Sequence, residues 1–201
     1  HAWINLYPGW SGDNPPRDQN HIYYTHPGWF MHDVYGRGSK LKNGYQWLSP
    51  THPDVTPYLL GDLAGDAREL AAEHAQLAID IAAGRGPVPP PCVILSGGET
   101  TVRVTGNGRG GRNGEYGLAL ALALDGHENI SAIACDTDGI DGTGDNAGCR
   151  ITPDSLARFS GDVRALQANN DSYAFFAALG DLVMTGPTRT NVNDFRAILV
   201  R

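Results

Sequence analysis

The chain has 201 residues, of which 41% are hydrophobic and 18% are charged, and its formal net charge at pH 7 is −7. A chain of this length and composition is typical of a soluble globular protein with one large domain or two small ones. The negative charge argues against a general nucleic-acid-binding protein, because lysine and arginine supply most of the non-specific affinity for phosphate backbones. We therefore expect no nucleic-acid partner.

Cysteines and apolar runs bear on the redox compartment and on membranes. Cys92, Cys135 and Cys149 are an odd number of cysteines with no CxxC pair, so neither a disulfide framework nor a zinc cluster is indicated. No run approaches the roughly 18 apolar residues of a membrane span, and the N-terminus lacks the basic and apolar regions of a signal peptide. We expect a cytoplasmic protein with reduced thiols and no membrane partner.

Residues 1–54 differ in texture from the rest of the chain. They contain all four tryptophans, many turn residues and the sequence PGW twice, and their apolar periodicity is poor. These features predict loops and short strands. The histidines His21, His26 and His32 lie in no HExxH-like pattern, so scattered surface histidines are favoured over a metal site.

An α/β pattern begins after this aromatic segment. The stretch YLLGD at 58–62 predicts a strand that ends in a turn, and residues 66–83 predict an amphipathic helix. Three consecutive prolines, Pro89–Pro91, then force an extended linker. We place a boundary there, which separates residues 55–91 from residues 92–201.

The last part of the chain alternates strands and helices. The stretches CVILS at 92–96 and VRVT at 102–105 predict the two arms of a β-hairpin. The further predicted elements are a helix from about 113 to 124, a strand at 131–136, helices near 153–159 and 172–179, and strands at 181–185 and 197–200. Together they predict an α/β fold, a three-layer sandwich with a mixed β-sheet and a β-hairpin.

Four loops between these elements concentrate groups that suit a phosphorylated ligand. Glycines, threonines, arginines and carboxylates recur in SGGETT, GNGRGGRN, DTDGIDG and TGPTRTN. Ligands of α/β sheets collect where strands deliver their loops, so we expect a binding site there. The glycine-rich stretch GNGRGGRNGE at 106–115 predicts an anion-binding backbone at a helix start, and the alternative is a flexible surface hairpin with solvated arginines.

The spacing of Gly106, Gly108 and Gly111 also satisfies the GxGxxG pattern of dinucleotide-binding proteins. A Rossmann site needs a strand that opens a βαβ unit, whereas the strand predicted before these glycines is the second arm of a hairpin. The stretch also lacks the GK[ST] ending of a Walker loop. Nicotinamide binding is therefore the less favoured alternative, and a standard P-loop is excluded.

Four aspartates form an acidic loop after the strand at 131–136. Their spacing misses the EF-hand pattern, because no glutamate stands at the twelfth position. Asp136 and Asp138 lie at the strand end and are the candidate Mg²⁺ ligands, since a cation bound mainly through substrate phosphates needs only one or two carboxylates. Asp141 and Asp145 are interpreted as turn caps.

Two further polar features receive structural interpretations. Asn169, Asn170 and Asp171 are most simply the N-cap of the helix near 172–179. His74 is interpreted as a surface or core histidine rather than a catalytic base.

Five of these motifs, taken together, resemble in order and spacing the C-terminal MOFRL domain of type II glycerate 2-kinases, a family in which some members are named hydroxypyruvate reductases. The motifs are LSGGETTV, GNGRGGRNGE, DTDGIDG, NNDSYAFF and TGPTRTNVNDF. The resemblance covers residues 55–201. It implies an α/β domain that forms one wall of an interdomain cleft, in which ATP with Mg²⁺ phosphorylates the 2-hydroxyl of D-glycerate to give 2-phosphoglycerate.

The same resemblance implies roles for individual residues. Arg112 and Asp138 are the expected catalytic residues, with Arg112 stabilising charge on the phosphates or the substrate carboxylate. Asp136 and Asp138 are expected to hold the metal ion. Substrate or nucleotide binding is expected of Gly97, Gly98, Glu99, Gly110, Gly111, Asn113, Glu115, Thr188, Asn191 and Asp194.

Departures from the family pattern keep alternatives open. Gly114 stands where the family commonly has glutamine, and Arg189 stands where a small residue is usual. Residues 1–54 do not resemble the family's N-terminal domain, which carries an active-site lysine. That domain or a second chain is therefore an expected partner, besides D-glycerate and ATP. The alternatives are a non-catalytic phosphate- or nucleotide-binding module and a hydroxypyruvate reductase with a nicotinamide cofactor.

Overall fold

The computed structural model describes residues 21–26, 29–33, 46–48 and 55–201. The strands of its large sheet are β1 (His21–His26), β2 (Trp29–Asp33), β3 (Gln46–Leu48), β4 (Thr56–Asp62), β6 (Cys92–Gly97), β8 (Ile130–Asp136), β9 (Gly148–Ile151), β10 (Leu182–Val183) and β11 (Asp194–Val200). A two-stranded sheet joins β5 (Gly65–Asp66) to β7 (Thr100–Thr101). The helices are α1 (Ala67–Ala82), α2 (Arg112–Leu124), α3 (Ser155–Arg158), α4 (Val163–Ala168) and α5 (Ser172–Leu179).

The large sheet mixes parallel and antiparallel pairs. Its strand order is β1-β2-β3-β4-β6-β11-β8-β9-β10, with β4 parallel to β6 and β11 antiparallel to both β6 and β8. The last of these strands along the chain therefore lies near the middle of the sheet. The α/β class with a mixed sheet that the sequence predicts is confirmed.

The core lies between the sheet and the helices α1 and α2, which pack against each other and against β8 and β11. Alternate residues of the central strands face these helices and are buried, among them Ile94, Ala134 and Ile198. Burying one such branched apolar side chain stabilises the fold by about 1.5–3 kcal/mol. In α1, the residues at helical spacing between Leu70 and Ile81 face the same core, as the amphipathic pattern predicts.

The expected hairpin between residues 92–96 and 102–105 does not form. Both edges of β6 are occupied, by β4 on one side and β11 on the other. Residues 102–105 are not a strand; their backbone instead bonds to Asn170, whose side chain donates to the carbonyl of Arg103 and accepts from the N–H of Thr105. An antiparallel hairpin is present elsewhere, between β1 and β2.

Several elements differ from their predicted bounds. β9 and α4 have no counterpart in the prediction, and β10 is shorter than predicted whereas β11 is longer. β3, from the aromatic segment, pairs with β4 and so extends the same sheet. Most of residues 1–54 lie outside the described residues, and the three-segment division of the chain stays a prediction. No helix in the described part of the chain is both long and apolar enough to cross a membrane.

Candidate active site

The loops that the sequence singled out meet at one cavity of about 490 Å³. Eight of the predicted site residues line it: Glu99, Gly110, Gly111, Arg112, Glu115, Asp136, Asp138 and Asn191. The sequence reasoning did not assign the remaining lining residues, which are Thr100, Val102, Val104, Gly108, Ile140, Gly142, Asn170 and Asn193. Four carboxylates and a single guanidinium therefore line the cavity in the described part of the chain.

Arg112 lies at the start of α2 and binds three carboxylates at once. Its Nε donates to Asp194 Oδ1 at 2.7 Å, and its Nη1 and Nη2 donate to Glu99 at 2.8 Å and to Asp136 at 2.7 Å. Burial works against the charged form, but the hydrogen bond and charge of Asp194, with Asp136 and Glu99, raise the pKa of Arg112 above its ordinary value. The guanidinium is thus permanently charged and fixed in orientation.

Asp194 lies behind the cavity wall and connects several predicted site residues. Besides Arg112, its carboxylate accepts from Asn113 Nδ2 at 2.8 Å and from Arg196 Nη1 at 3.0 Å. Arg196 is only 1% exposed and donates through Nη2 to the carbonyl oxygen of Gly97. Asp194 and Asn113 are therefore buried supports of Arg112 and of the strand β6, and neither lines the cavity.

The glycine-rich loop before α2 is ordered by the turn Asn169–Asp171. The N–H groups of Gly106, Asn107, Gly108 and Arg109 donate to that turn, at 2.8–3.1 Å. A Cβ added at Gly106 would overlap the backbone of Asn169, so glycine is needed for close approach rather than for positive φ. Asp171 occupies the predicted N-cap position of α5, but its side chain makes no cap bond there and accepts from the N–H of Arg109 instead.

The N-terminus of α2 is capped from a distant loop. The carboxylate of Asp141 accepts from the N–H groups of Asn113 and Gly114, at 2.9 and 2.8 Å. Asp141 is 1% exposed, and its burial raises its pKa although these N–H donors oppose the rise. The interpretation of Asp141 as a local turn cap is therefore wrong, since it caps a helix that starts 29 positions earlier in the chain.

These two contacts limit the expected anion-binding backbone to a short part of the loop. The N–H groups of Gly106–Arg109 and, in α2, those of Asn113 and Gly114 already have acceptors. Gly110 and Gly111 line the cavity, and their N–H groups donate to no other described residue. Any backbone recognition of an anion by this loop is therefore centred on those two glycines and on the adjoining N–H of Arg112, which has no acceptor among the described residues either.

Asp136 and Asp138 both line the cavity, two positions apart in the chain. Asp136 accepts from the N–H of Asp138 as well as from Arg112, and its burial raises its pKa. Asp138 accepts from the N–H of Ile140, and its second oxygen has only a long contact of 3.5 Å with Asn191. In the described residues no three histidines, cysteines or acids come together as a metal-binding set. The donor set suits a hard cation that arrives with phosphate oxygens of its own.

The other predicted residues have different positions. Glu115 lines the cavity and is held by Arg68, whose Nε and Nη2 donate to Glu115 Oε2 at 2.9 and 2.8 Å. Thr188 fixes the final loop to the acidic loop, because its hydroxyl donates to the carbonyl of Thr137 and its N–H to that of Asp138. Gly98, with φ of +95°, accepts from the N–H of Asp194 and does not line the cavity.

Some residues of the site were missed in the sequence because nothing local marks them. Asn170 lines the cavity and is 5% exposed, yet its partners lie more than 60 positions away. The only indication of its importance in the sequence is that Asn170 lies within the motif NNDSYAFF. Asp145, also interpreted as a turn cap, instead accepts from the side chains of Arg109 and Tyr173.

The match to known proteins agrees with this arrangement. The model of the MOFRL family matches residues 92–194, which is about half of the chain. The chain belongs to the MOFRL family. The resemblance that the five motifs carry is thereby confirmed.

The MOFRL chain is similar to relatives that are much longer than itself. An Agrobacterium vitis protein that bears the provisional name hydroxypyruvate reductase is 51% identical over 152 residues, which are 73% of this chain and 40% of that protein. The D-glycerate 2-kinase of Thermotoga maritima is 40% identical over 132 residues, 64% of this chain and 32% of that enzyme. The crystal structure of a glycerate kinase from Thermotoga maritima superposes with a TM-score of 0.70 at 36% identity, over 72% of this chain and 36% of that one.

Proposed function

We propose that this chain forms one wall of the active site of a glycerate 2-kinase, in which ATP with Mg²⁺ phosphorylates the 2-hydroxyl of D-glycerate to 2-phosphoglycerate. The observation that carries the proposal is the fixed guanidinium of Arg112 among the four carboxylates that line the cavity. Phosphoryl transfer asks a protein for positioning and charge stabilisation rather than covalent chemistry. A rigid arginine beside carboxylates that suit Mg²⁺ supplies both.

Arg112 keeps donors for a ligand. Three of its N–H groups are used, and Arg presents five. Of its three carboxylate partners, only Glu99 is well exposed, at 60% for its side chain. An exposed ion pair contributes little to stability, so a phosphate or the glycerate carboxylate can replace Glu99 at Nη1 at small cost. Asp194 and Asp136 stay bound and keep the guanidinium in place.

The metal ion has a place in the same proposal. Asp138, with one carboxylate oxygen only weakly engaged, and Asp136 beside it would hold Mg²⁺ together with the phosphate oxygens. When bound, the ion neutralises charge on the transferred phosphate. The free N–H groups of Gly110 and Gly111 would orient a phosphate oxygen or the substrate carboxylate in the same cavity.

The proposal that this chain supplies only one wall of the active site rests on exposed apolar residues at and near the cavity. Val104 and Ile140 line the cavity and are 72% and 40% exposed, and Val192, between the lining residues Asn191 and Asn193, is 73% exposed. Apolar side chains around an acidic opening suit contact with another protein surface. We propose that the partner is a further domain or a second chain that brings positive charge, and that the protein works in the cytoplasm.

The experiment is a titration of the chain with Mg-ATP, followed by an assay of ADP release that depends on D-glycerate. We expect Mg-ATP binding that Arg112→Lys weakens roughly tenfold or more, because lysine keeps the charge but cannot hold a fork of carboxylates. Arg164→Ala, on the exposed side of α4, is the control and should bind as the unsubstituted chain does. Absence of Mg-ATP binding would overturn the proposal.

The two alternatives give different outcomes in the same assays. Mg-ATP binding without ADP release would favour a phosphate- or nucleotide-binding module. The name of the Agrobacterium vitis relatives favours a reductase, and saturable quenching of NADH fluorescence by this chain would support it. The GxGxxG glycines do not favour it, since residues 102–105, directly before them, are not a strand, and the N–H groups of Gly106 and Gly108 are already bound to the turn at 169–171.

A further inference from the structure

The turn Asn169–Asp171 binds the backbone of the segment at 103–109 through hydrogen bonds. Its middle residue, Asn170, accepts through Oδ1 from the N–H groups of Thr105 and Gly106, at 2.8 and 3.0 Å. Through Nδ2 it donates to the carbonyl of Arg103 at 3.3 Å. One nearly buried amide side chain thus fixes both ends of the segment that enters the glycine-rich loop.

The neighbours of Asn170 continue the same contact along the loop. Asn169 accepts from Asn107 through its side chain and from Gly108 through its carbonyl, at 3.0 and 2.8 Å. Asp171 accepts from the N–H of Arg109 at 3.1 Å. Five consecutive N–H groups, from residue 105 to residue 109, therefore end on three consecutive residues.

This attachment decides where the ligand-facing part of the loop lies. Gly110, Gly111 and Arg112 follow directly after the attached residues and line the cavity. A glycine-rich segment has more conformations to lose than any other when it becomes ordered. Because the loop is already fixed to the turn, the ligand does not have to order it on binding.

The backbone of Asn170 explains why an asparagine suits this position. Its φ is +56°, in the left-handed region that asparagine and glycine tolerate better than most residues. Glycine would keep this backbone but offers no acceptor, and aspartate keeps the acceptor but loses the donor to Arg103. Comparing asparagine, glycine and aspartate at position 170 therefore separates the effect of the backbone conformation on loop order from the effect of the side-chain hydrogen bonds.

We propose that Asn170 is a positioning residue, which holds the glycine-rich loop in its ligand-binding form before Mg-ATP arrives. The identity of the ligand rests on the proposed function. The ordering of the loop rests on the hydrogen bonds of Asn170 alone. Asn170 acts through Gly110, Gly111 and Arg112 rather than by the chemistry of its own side chain. Nothing in the family match or in the names of the relatives assigns it such a role.

The test is Asn170→Gly in the full chain, with amide hydrogen exchange of residues 105–109 and Mg-ATP affinity as the two measurements. We expect exchange to become roughly tenfold or more faster, since at least two hydrogen bonds are lost, and Mg-ATP affinity to fall several-fold. Asn170→Asp, which keeps Oδ1, should restore most of the protection and affinity. Asp125→Gly is the matched control, because Asp125 also has a positive φ, of 47°, but lies at the far end of α2.

Each outcome decides the inference. Unchanged exchange in Asn170→Gly would overturn it, because the side chain would then not hold the loop. Faster exchange with unchanged Mg-ATP affinity would overturn it as well, because the loop would then be ordered for the fold alone. If the unsubstituted chain does not bind Mg-ATP, the proposed function fails and the positioning role fails with it, while the exchange rates still decide whether Asn170 orders the loop.

Discussion

The two long helices of the chain begin in different ways. α1 is capped by the residue before it, since Asp66 accepts from the N–H groups of Arg68 and Glu69. α2 begins at Arg112 after the N-cap position Gly111, which has no side chain, and its cap comes from Asp141, 27 and 28 positions beyond the two N–H donors. A local cap needs only its own helix to form. A distant cap joins two loops and leaves the residue at the helix start bare for a ligand.

The difference also concerns what occupies the positive end of each helix. A helix N-terminus attracts anions. Asp66 satisfies that of α1 at the protein surface, whereas Asp141 satisfies that of α2 in a buried position beside the cavity. Two N–H groups at the N-terminus of α2 are therefore not available to a phosphate. The N–H groups of Gly110, Gly111 and Arg112 have no acceptor among the described residues.

The largest expected effect is that of Asp141→Ala. It leaves the buried N–H groups of Asn113 and Gly114 without acceptors, and we expect the free energy of unfolding to fall by about 3 kcal/mol. Urea denaturation followed by circular dichroism measures this loss. Asp141→Asn keeps one acceptor oxygen and should lose clearly less.

A second effect of similar size tests the contact between the helices away from their ends. His74 on α1 lies 2.7 Å from the hydroxyl of Tyr116 on α2, and burial, with the charge of Arg196, lowers the pKa of His74 from 6.5 to about 4. The unfolded chain then binds more protons between these pH values. The contribution, up to about 3 kcal/mol, is present above pH 6.5 and is lost as the pH falls towards 4.

The measurement is the free energy of unfolding between pH 7 and pH 4, for the chain and for His74→Gln. Burial also raises the pKa values of Asp136 and Asp141, so the stability of both proteins depends on pH for other reasons, and the difference between the two curves isolates the histidine. The variant should show a shallower loss with falling pH. Parallel curves for the two proteins would show that His74 takes up its proton equally well in the folded chain.

The smallest expected effect is that of Asp66→Ala. The lost cap is local and partly exposed, and water can replace it, so we expect about 1 kcal/mol. The same denaturation curves measure it. If Asp66→Ala lowered the free energy of unfolding as much as Asp141→Ala does, the comparison would fail. The local cap and the distant cap would then contribute equally to stability.

The sequence predicted the elements that depend on contacts between residues close together in the chain. The amphipathic pattern predicted α1 to within a residue at each end, and the apolar run after Gly111 predicted α2 equally well. The strand predicted at Val102–Thr105 failed, since an alternating pattern cannot reveal that Asn170 captures the backbone there. Strand order was equally out of reach, because it depends on contacts between distant residues.

The candidate site divides in the same way. Residue types and motifs led to Arg112, Asp136 and Asp138, and the structure brings these three to one cavity. The sequence did not reveal that Arg112 binds three carboxylates, because Glu99 follows β6, Asp136 ends β8 and Asp194 begins β11, and these strands are far apart in the chain. Asn170 and Asp141 were taken for local caps since both residue types commonly have that role. Their actual partners are far away in the chain.

The central position of β11 constrains the order in which the chain can be assembled on a ribosome. The strand from Asp194 to Val200 pairs with β6 on one side and β8 on the other, yet it is synthesised after both. Until it emerges, the two halves of the sheet have unpaired edges that face each other, a state that is open to aggregation. Because β11 also carries Asp194 and Arg196, the nascent chain acquires its continuous sheet and the support for Arg112 in the same step.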